Sequence, residues 1–430
     1  MTIEIGLVLL LLFFIMVLMN IPIAVSLGLS TLATLYLYGI PMDMYVDTIN
    51  AGLSKYALLA VPFFIMAGGV MGISGISQRM ISFFKLLAGP LPGGLGIISI
   101  VLTMFWGAIS GSGPATVAAL GGILIPAMVG EGYPPAFAAA LIAASSAIAV
   151  VIPPSINLVV YGVISGDSIG ALFIAGILPG VVVGIAFIIY TYIYAKRHGL
   201  KGEKFGSGKE IWEGFKSSFW GLLSPVIILG GIYGGIFTPT EAAVVAVFYS
   251  LFVGLFIYRG IRIGDIFGIL AETGISSASI LIIMANAGAM TWLLTSQGVA
   301  SRFGTAMLGI SDHKIVILLI IDLLVIIAGV FIDGISIAYI FVPLFLPVIT
   351  QLGMNSVWFG VVLTVGIAIG FSTPPVAVNL YPACRIANIS LGEISREVIG
   401  FVLSGIAALV VLTCFPEIVL VIPRALGMIF

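Results

Sequence analysis

The chain has 430 residues, of which 61% are hydrophobic and 8% charged, with sixteen Lys and Arg against seventeen Asp and Glu. A soluble domain carries roughly 25% charged residues because its surface faces water, so this composition excludes one and leaves lipid or protein beside most side chains. A net charge of −1, with no basic patch interleaved with aromatics outside one short linker, gives no sign of a nucleic-acid partner.

The first nineteen residues resemble a secretory leader only superficially. They lack a basic start, carry Glu4, and run straight into further apolar sequence, which predicts a retained first helix. A bilayer core of about 30 Å takes about 20 apolar residues per helix. Segments of that kind run over 5–19, 21–39, 56–74, 96–128, 135–165 and 170–195, and resume over 219–236, 238–258, 267–296, 315–350, 356–383 and 398–423. Between the two series lies a linker, 196–216, with six of the sixteen basic residues; it is read as an extended loop. Cys384 and Cys414 both sit in apolar helical sequence and read as buried thiols rather than a disulfide or a metal pair.

Four segments cannot be simple spans. Residues 96–128 and 315–350 are too long for one crossing and are interrupted by Ser110-Gly111-Ser112-Gly113-Pro114 and by Asp333-Gly334. Each fits two half-length limbs meeting at a tip inside the membrane, a re-entrant hairpin, where non-helical backbone must be buried in protein or line a wet cavity. Residues 135–165 and 356–383 carry Pro153-Pro154 and Pro374-Pro375 in mid-segment. Proline has no N–H and clashes with the carbonyl four residues earlier, so both helices must break there.

The interruptions recur at one spacing. Gly113 and Gly334, Pro126 and Pro347, Gly132 and Gly353, and Pro153 and Pro374 are each 221 residues apart. More loosely, Gly75-Ile-Ser-Gln-Arg79 matches Gly298-Val-Ala-Ser-Arg302, and Pro22 matches Pro239. The chain therefore reads as a duplication: a first repeat over 1–200, a basic linker over 201–216 and a second repeat over 217–430. Five full crossings per repeat turn the second upside down relative to the first. With the linker in the cytoplasm, twelve Lys and Arg fall inside and four (Lys55, Arg302, Lys314 and Arg424) outside, in line with the positive-inside rule; both termini are then periplasmic. The expected fold is an all-α polytopic membrane protein, an inverted-repeat transporter with two re-entrant hairpins and two Pro-Pro-broken helices.

Broken helices in matching places of an inverted repeat point to a midplane binding site in a secondary transporter. A break leaves free carbonyls at one half-helix and free N–H groups at the other. Carbonyls and hydroxyls suit a hard monovalent cation such as Na⁺, while N-terminal ends suit an anion. Two pseudo-equivalent Na⁺ sites are expected. The first draws on Gly107, Ser110, Ser112, Gly113, Thr116, Ala149, Val150, Ser155 and Asn157. The second draws on Gly329, Asp333, Gly334, Gly370, Phe371, Ser372, Thr373 and Asn379. The alternative for the hydroxyls and amides is that they merely satisfy backbone groups freed by the prolines. Asp333, an acid at membrane depth, reads as an ion-binding or coupling residue, with capping of the second limb as the alternative. Substrate-contact candidates are Ser112, Pro114, Pro154, Ser155, Pro375, Asn379 and Arg385, the last reading more readily as a cytoplasmic anchor. Asp322 precedes the tip by two to three turns and is undecided. Glu241 in Thr238-Pro-Thr-Glu241 reads as a first-turn acid at a helix start.

Enzymatic signals fail. Gly72-Ile-Ser-Gly75 has the form of an intramembrane serine protease motif, but such a serine needs a base, and His198 and His313 lie in polar connections. Gly206-Ser-Gly-Lys209 lacks the spacing of a phosphate loop and is followed by Glu210 rather than Ser or Thr. No transition-metal cluster and no organic cofactor are expected.

Four motifs together resemble the large membrane subunit of the tripartite ATP-independent periplasmic (TRAP) transporters. They are Gly107-Ala-Ile-Ser-Gly-Ser-Gly-Pro-Ala115, Ile152-Pro-Pro-Ser-Ile-Asn157, Phe237-Thr-Pro-Thr-Glu-Ala-Ala243 and Phe371-Ser-Thr-Pro-Pro-Val-Ala-Val-Asn379. The resemblance covers essentially the whole chain. It implies uptake of an organic acid (a C4-dicarboxylate, sialic acid or another sugar acid), driven by a sodium gradient and dependent on a periplasmic substrate-binding protein. It also implies a small four-helix membrane subunit, expected here as a separate chain, an inner-membrane location, and an elevator in which hairpins and broken helices move against a scaffold. A self-sufficient Na⁺/organic-anion symporter of the same fold is the alternative; an open channel fits two occluding hairpins poorly.

Overall fold

The computed structural model describes residues 2–202 and 205–429, and among these residues every regular element is a helix. The first half runs α1 (Thr2–Leu18), α2 (Ile23–Leu37), α3 (Asp43–Leu53), α4 (Ala60–Ile73) and α5 (Ile76–Leu86). It continues through α6 (Gly94–Ser110), α7 (Gly113–Gly130), α8 (Pro135–Ala147), α9 (Ile156–Ser165) and α10 (Ile169–Arg197). The second half runs α11 (Gly208–Tyr233), α12 (Pro239–Phe252), α13 (Asp265–Ser296), α14 (Val299–Leu308) and α15 (Lys314–Phe331). It ends with α16 (Gly334–Gln351), α17 (Ser356–Gly370), α18 (Leu380–Ala387), α19 (Leu391–Cys414) and α20 (Glu417–Ala425). Among the described residues nine helices are long and apolar enough to cross a membrane.

The interruptions fall where glycine and proline stand. The segment 96–128 is a helical hairpin of α6 and α7 joined at Gly111–Ser112, and 315–350 is one of α15 and α16 joined at Ile332–Asp333. Gly111 takes a left-handed conformation, φ +60°, which a β-carbon disfavours, and so ends α6 in a tight reversal. The segment 135–165 divides into α8, a 3₁₀ turn over Ile148–Val150, and α9 after the proline pair; 356–383 divides into α17 and α18. Both Pro-Pro bonds are cis.

The centre of the molecule is made of the broken helices. Every residue of α8 from Phe137 onward is buried, as is every residue of α17 from Val357 to Gly370. The halves interlock there: α9 packs on α16 and α17, while α18 packs on α7 and α8. Tyr161 of α9 donates its hydroxyl proton to the Ser356 carbonyl at 2.7 Å, and its ring fills the space beside Gly360. Ser356 in turn donates to Asp167 at 2.7 Å. Around this core, α13 leaves most of its surface unburied.

Two features depart from the sequence expectation. The extended linker is shorter than 196–216, because α10 continues to Arg197 and α11 begins at Gly208. Its start is a capping box: Ser207 accepts from the Glu210 N–H while the Glu210 carboxylate accepts from the Ser207 N–H at 2.7 Å. The other is a pair of short amphipathic arms, α5 and α14, which lead into the two hairpins. Glu241 occupies the first turn of α12 and completes a second capping box with Thr238, as expected.

Candidate functional site

At tip 1, glycines bring main chains together. A β-carbon on Gly107 would lie 2.7 Å from the Ala149 Cα, and one on Gly111 would lie 2.8 Å from the Pro154 carbonyl oxygen. The first limb of hairpin 1 therefore rests backbone to backbone on the break of its own half. Three oxygens gather at the turn. The Ser110 and Thr116 hydroxyls are 2.7 Å apart, and Thr116 donates to the Ser112 carbonyl at 2.8 Å. Ser112 stands at the N-cap of α7 in extended conformation without a side-chain hydrogen bond to the helix end. Pro114 follows in the first turn, so α7 starts with main-chain N–H groups that no side chain caps.

Tip 2 repeats the packing with different chemistry. A β-carbon on Gly329 would lie 3.1 Å from the Gly370 Cα, so hairpin 2 rests on its own break in the same manner. Its N-cap, however, is Asp333. One carboxylate oxygen accepts from the Ile335 and Ser336 N–H groups at 3.0 and 2.9 Å, and the other accepts from the Ser336 hydroxyl at 2.6 Å. The capping role is thus present, and it leaves lone pairs on the carboxylate for a further partner.

The breaks satisfy more of their own backbone than proline chemistry alone suggests. The Ser155 hydroxyl donates to the Val150 carbonyl and accepts from the Leu158 N–H, capping α9. Gly370 and Phe371 carbonyls accept from the N–H groups of Thr373 and Asn379 at 3.0 and 3.2 Å. Of the main-chain ion-site candidates at the breaks, Ala149, Val150, Gly370 and Phe371, the last three therefore have a donor on their carbonyls. A carbonyl oxygen holds two lone pairs, so each retains capacity for an ion. The breaks differ in exposure: Pro153, Pro154 and Ser155 are buried, whereas Pro375 and Val378 are exposed.

Contacts across the halves complete the arrangement. A β-carbon on Gly113 would lie 2.7 Å from the Asn379 side-chain oxygen, and one on Gly334 would lie 2.7 Å from the Asn157 side-chain nitrogen. Each tip thus faces the asparagine of the opposite half. Asn379 is fully buried and donates to the Ala143 carbonyl at 3.1 Å, while its amide oxygen has no hydrogen-bond partner among the described residues. The two tips and two breaks share a cleft of about 220 Å³ with Ser112, Gly113, Pro114, Val150 and Asn157 on one side, Asp333, Gly334 and Phe371 on the other, and Ile280 and Ile283 of α13 across it. A second cavity of about 240 Å³ adjoins it at Ser112, lined by Ser110, Trp106, Ser276 and the Gly68–Gly69 stretch of α4. Among the described residues no Lys or Arg lines either cavity.

Some expected residues lie elsewhere. Gly107, Ala149, Gly329 and Gly370 are packing positions behind the cleft. Thr116 and Ser155 hold the backbone of tip 1 and of the first break. Ser372 donates to Ala143 at 3.4 Å on the far side, and Thr373 donates back to the Ile369 carbonyl at 2.7 Å. Arg385 is exposed in the last turn of α18 and lines neither cavity. Asp322 is buried in mid-α15, where it accepts from the Thr413 hydroxyl at 2.7 Å. The α13 residues facing the cleft and the α4 glycines escaped the sequence reading; the glycine spacing Gly68-Gly69…Gly72 was the available signal.

The family model described as "Tripartite ATP-independent periplasmic transporter, DctM component" matches residues 10–418. The chain belongs to the DctM family of TRAP transporter permeases. It is 35% identical, over 96% of its length and 97% of the relative's, to the C4-dicarboxylate TRAP transporter large permease protein DctM of Rhodobacter capsulatus. It is 34% identical to the sialic acid TRAP transporter large permease protein SiaM of Vibrio cholerae, over 94% of this chain and 95% of that one. A relative from Oleidesulfovibrio alaskensis, the isethionate TRAP transporter permease protein DctMQ, is 42% identical over 93% of this chain, which spans 63% of that relative's length. In fold the chain is similar to the crystal structure of the Alcanivorax borkumensis YdaH transporter, with a TM-score of 0.61 at 16% identity over 86% of this chain and 87% of that one. The DctM family comprises multi-pass inner-membrane permeases that work with a substrate-binding protein; it is a transporter family rather than an enzyme family.

Proposed function

We propose that this DctM chain translocates a small organic acid, a C4-dicarboxylate, sialic acid or another sugar acid, in symport with Na⁺. A periplasmic binding protein delivers the solute and a small membrane subunit, a separate chain, completes the scaffold. One observation carries the reading: two glycine-lined hairpin tips and two proline breaks meet in one cleft that holds an acid at one tip, an uncapped helix N-terminus at the other and no basic side chain. An anion entering such a site needs compensating charge. The N–H groups at the start of α7 and a bound cation supply it. Asp333 contributes the negative charge that retains Na⁺ at tip 2. The Ser110 and Ser112 oxygens, with the Val150 carbonyl, form the neutral counterpart at tip 1. The hairpins enter and leave the membrane on one side and move with α8, α9, α17 and α18 as an elevator against the scaffold of α1, α2, α4, α11, α12 and α13. The linker is cytoplasmic and both termini are periplasmic.

The test is uptake into proteoliposomes containing the chain, its small subunit and its binding protein. Labelled C4-dicarboxylates, sialic acid and sugar acids are offered with and without an inward sodium gradient. Saturable uptake that needs both the gradient and the binding protein is the expected result. Uptake by the chain alone favours the self-sufficient symporter, and uptake indifferent to sodium removes the coupling. Cysteines placed in the linker and near each terminus, probed with an impermeant thiol reagent, test the orientation.

A further inference from the structure

Away from the cleft between the tips, a groove opens between α1 and the arm α14. It has a volume of about 480 Å³, with Leu7, Leu10, Leu11 and Phe14 on one wall and Val299, Phe303 and Ala306 on the other. A second, wholly apolar cavity of about 210 Å³ shares Leu10, Phe14 and Phe303 with it and continues along hairpin 2 past Leu344, Ile340 and Ile337 to Ile332. Ile332 immediately precedes the tip acid Asp333. Among the described residues, the one charged residue lining the groove is Arg302, exposed at its edge and without an ion pair to any of them.

We propose that this groove binds one phospholipid, its phosphate on the Arg302 guanidinium and an acyl chain lying between α1 and α14 toward the tip of hairpin 2. The chemistry selects this occupant. Water is a poor filler, because the walls offer it almost no hydrogen-bonding group and a buried water needs two to four. An empty groove forfeits dispersion contacts along both walls. A partner helix, about 10 Å across with its side chains, does not enter where α1 and α14 close together: a β-carbon on Gly6 would lie 2.6 Å from a methyl of Val299. A flexible hydrocarbon chain fits such a channel. A guanidinium at its mouth pairs with a phosphate through directed, bidentate hydrogen bonds. The site joins a first-half helix to the arm and hairpin of the second half, so its occupant bridges elements that the elevator reading separates. The groove itself does not depend on that reading.

The experiment uses the full chain in complex with its small subunit, purified in a phosphate-free detergent. Retained phospholipid is counted by mass spectrometry of the intact complex, and phosphatidylglycerol is then titrated back against an uncharged diacylglycerol. About one tightly held phospholipid per chain is expected. Arg302→Gln should weaken phosphatidylglycerol retention about five-fold, the worth of one cation at a lipid headgroup, while Arg302→Lys recovers most of it. Ala306→Trp, which fills the groove without touching the charge, should release the lipid whatever its headgroup. A melting curve for each variant separates loss of lipid from loss of fold. Retention unchanged in both Arg302→Gln and Ala306→Trp overturns the proposal. So does lipid bound by the isolated chain but absent from the assembled complex, which assigns the groove to the small subunit.

Discussion

The two hairpin tips stand at one shared spacing in the sequence and have opposite electrostatic character. Ser112 and Asp333 are both N-caps, 221 residues apart, each followed by Gly and each resting on a proline break. Ser112 leaves the start of α7 uncapped, whereas Asp333 closes the start of α16 with a carboxylate. A helix N-terminus is worth roughly half a positive charge. Tip 1 therefore keeps a positive end for an anion, and tip 2 turns the corresponding end negative. Both tips share one frame of glycines and prolines; on the proposed function, Ser112 leaves a positive helix end for the solute and Asp333 adds a charged ligand for an ion.

Substitutions that erase this difference should have the largest effects. Asp333→Asn keeps a side-chain oxygen for the Ile335 and Ser336 N–H groups but removes the charge. Sodium-dependent uptake should fall on the order of a hundred-fold with little change in melting temperature, which an uptake assay beside a thermal melt would show. Asp333→Ala should lose uptake and also cost about 1 kcal/mol of stability through the missing cap. If Asp333→Asn transports with an unaltered sodium requirement, the carboxylate serves only as a cap.

Next comes the reverse exchange. Ser112→Asp gives tip 1 the carboxylate cap of tip 2 and puts a negative charge where the solute anion is proposed to sit. KM for the organic acid should rise about ten-fold, the scale of a charge reversed at a helix terminus. An unchanged KM would place the anion elsewhere.

The glycine packing behind each tip predicts a smaller effect, on stability. Gly107→Ala forces a β-carbon to within 2.7 Å of the Ala149 backbone, which cannot rotate away. A loss of about 1–3 kcal/mol is expected from overpacking, read as a lowered melting temperature. Gly122→Ala, where nothing lies within 4 Å, is the control that should not lower the melt. Smallest of all is Asp322→Asn. Asp322 lies eleven residues before Asp333, about 16 Å along the helix, and its contact is the Thr413 hydroxyl. Asparagine also accepts that hydrogen bond, so sodium dependence and KM should stay within about two-fold; a larger change would bring a second acid into the coupling.

Much of this arrangement was legible because glycine and proline act on the chain locally. The tips at Gly111–Ser112 and Ile332–Asp333 and the breaks at Pro153 and Pro374 follow from the missing β-carbon, the missing N–H and one repeated spacing. The arms α5 and α14 were not legible, because helices of eleven and ten residues with mixed polarity fall below the length a membrane-span reading seeks. The early start of α11 was written in Ser207 and Glu210 but was masked by the surrounding lysines. The crossing of Asn157 to Gly334 and of Asn379 to Gly113 is a tertiary fact that no local pattern carries. For the same reason, Gly370 and Phe371 find N–H donors that proline chemistry alone did not foresee.

Equilibrium binding of radioactive sodium to the purified complex, wild type beside Asp333→Asn, tests the division between the tips most directly. Saturable sodium binding that loses at least one ion in Asp333→Asn, with the protein still folded, is the predicted result. Equal stoichiometry and equal affinity in the two proteins would contradict it.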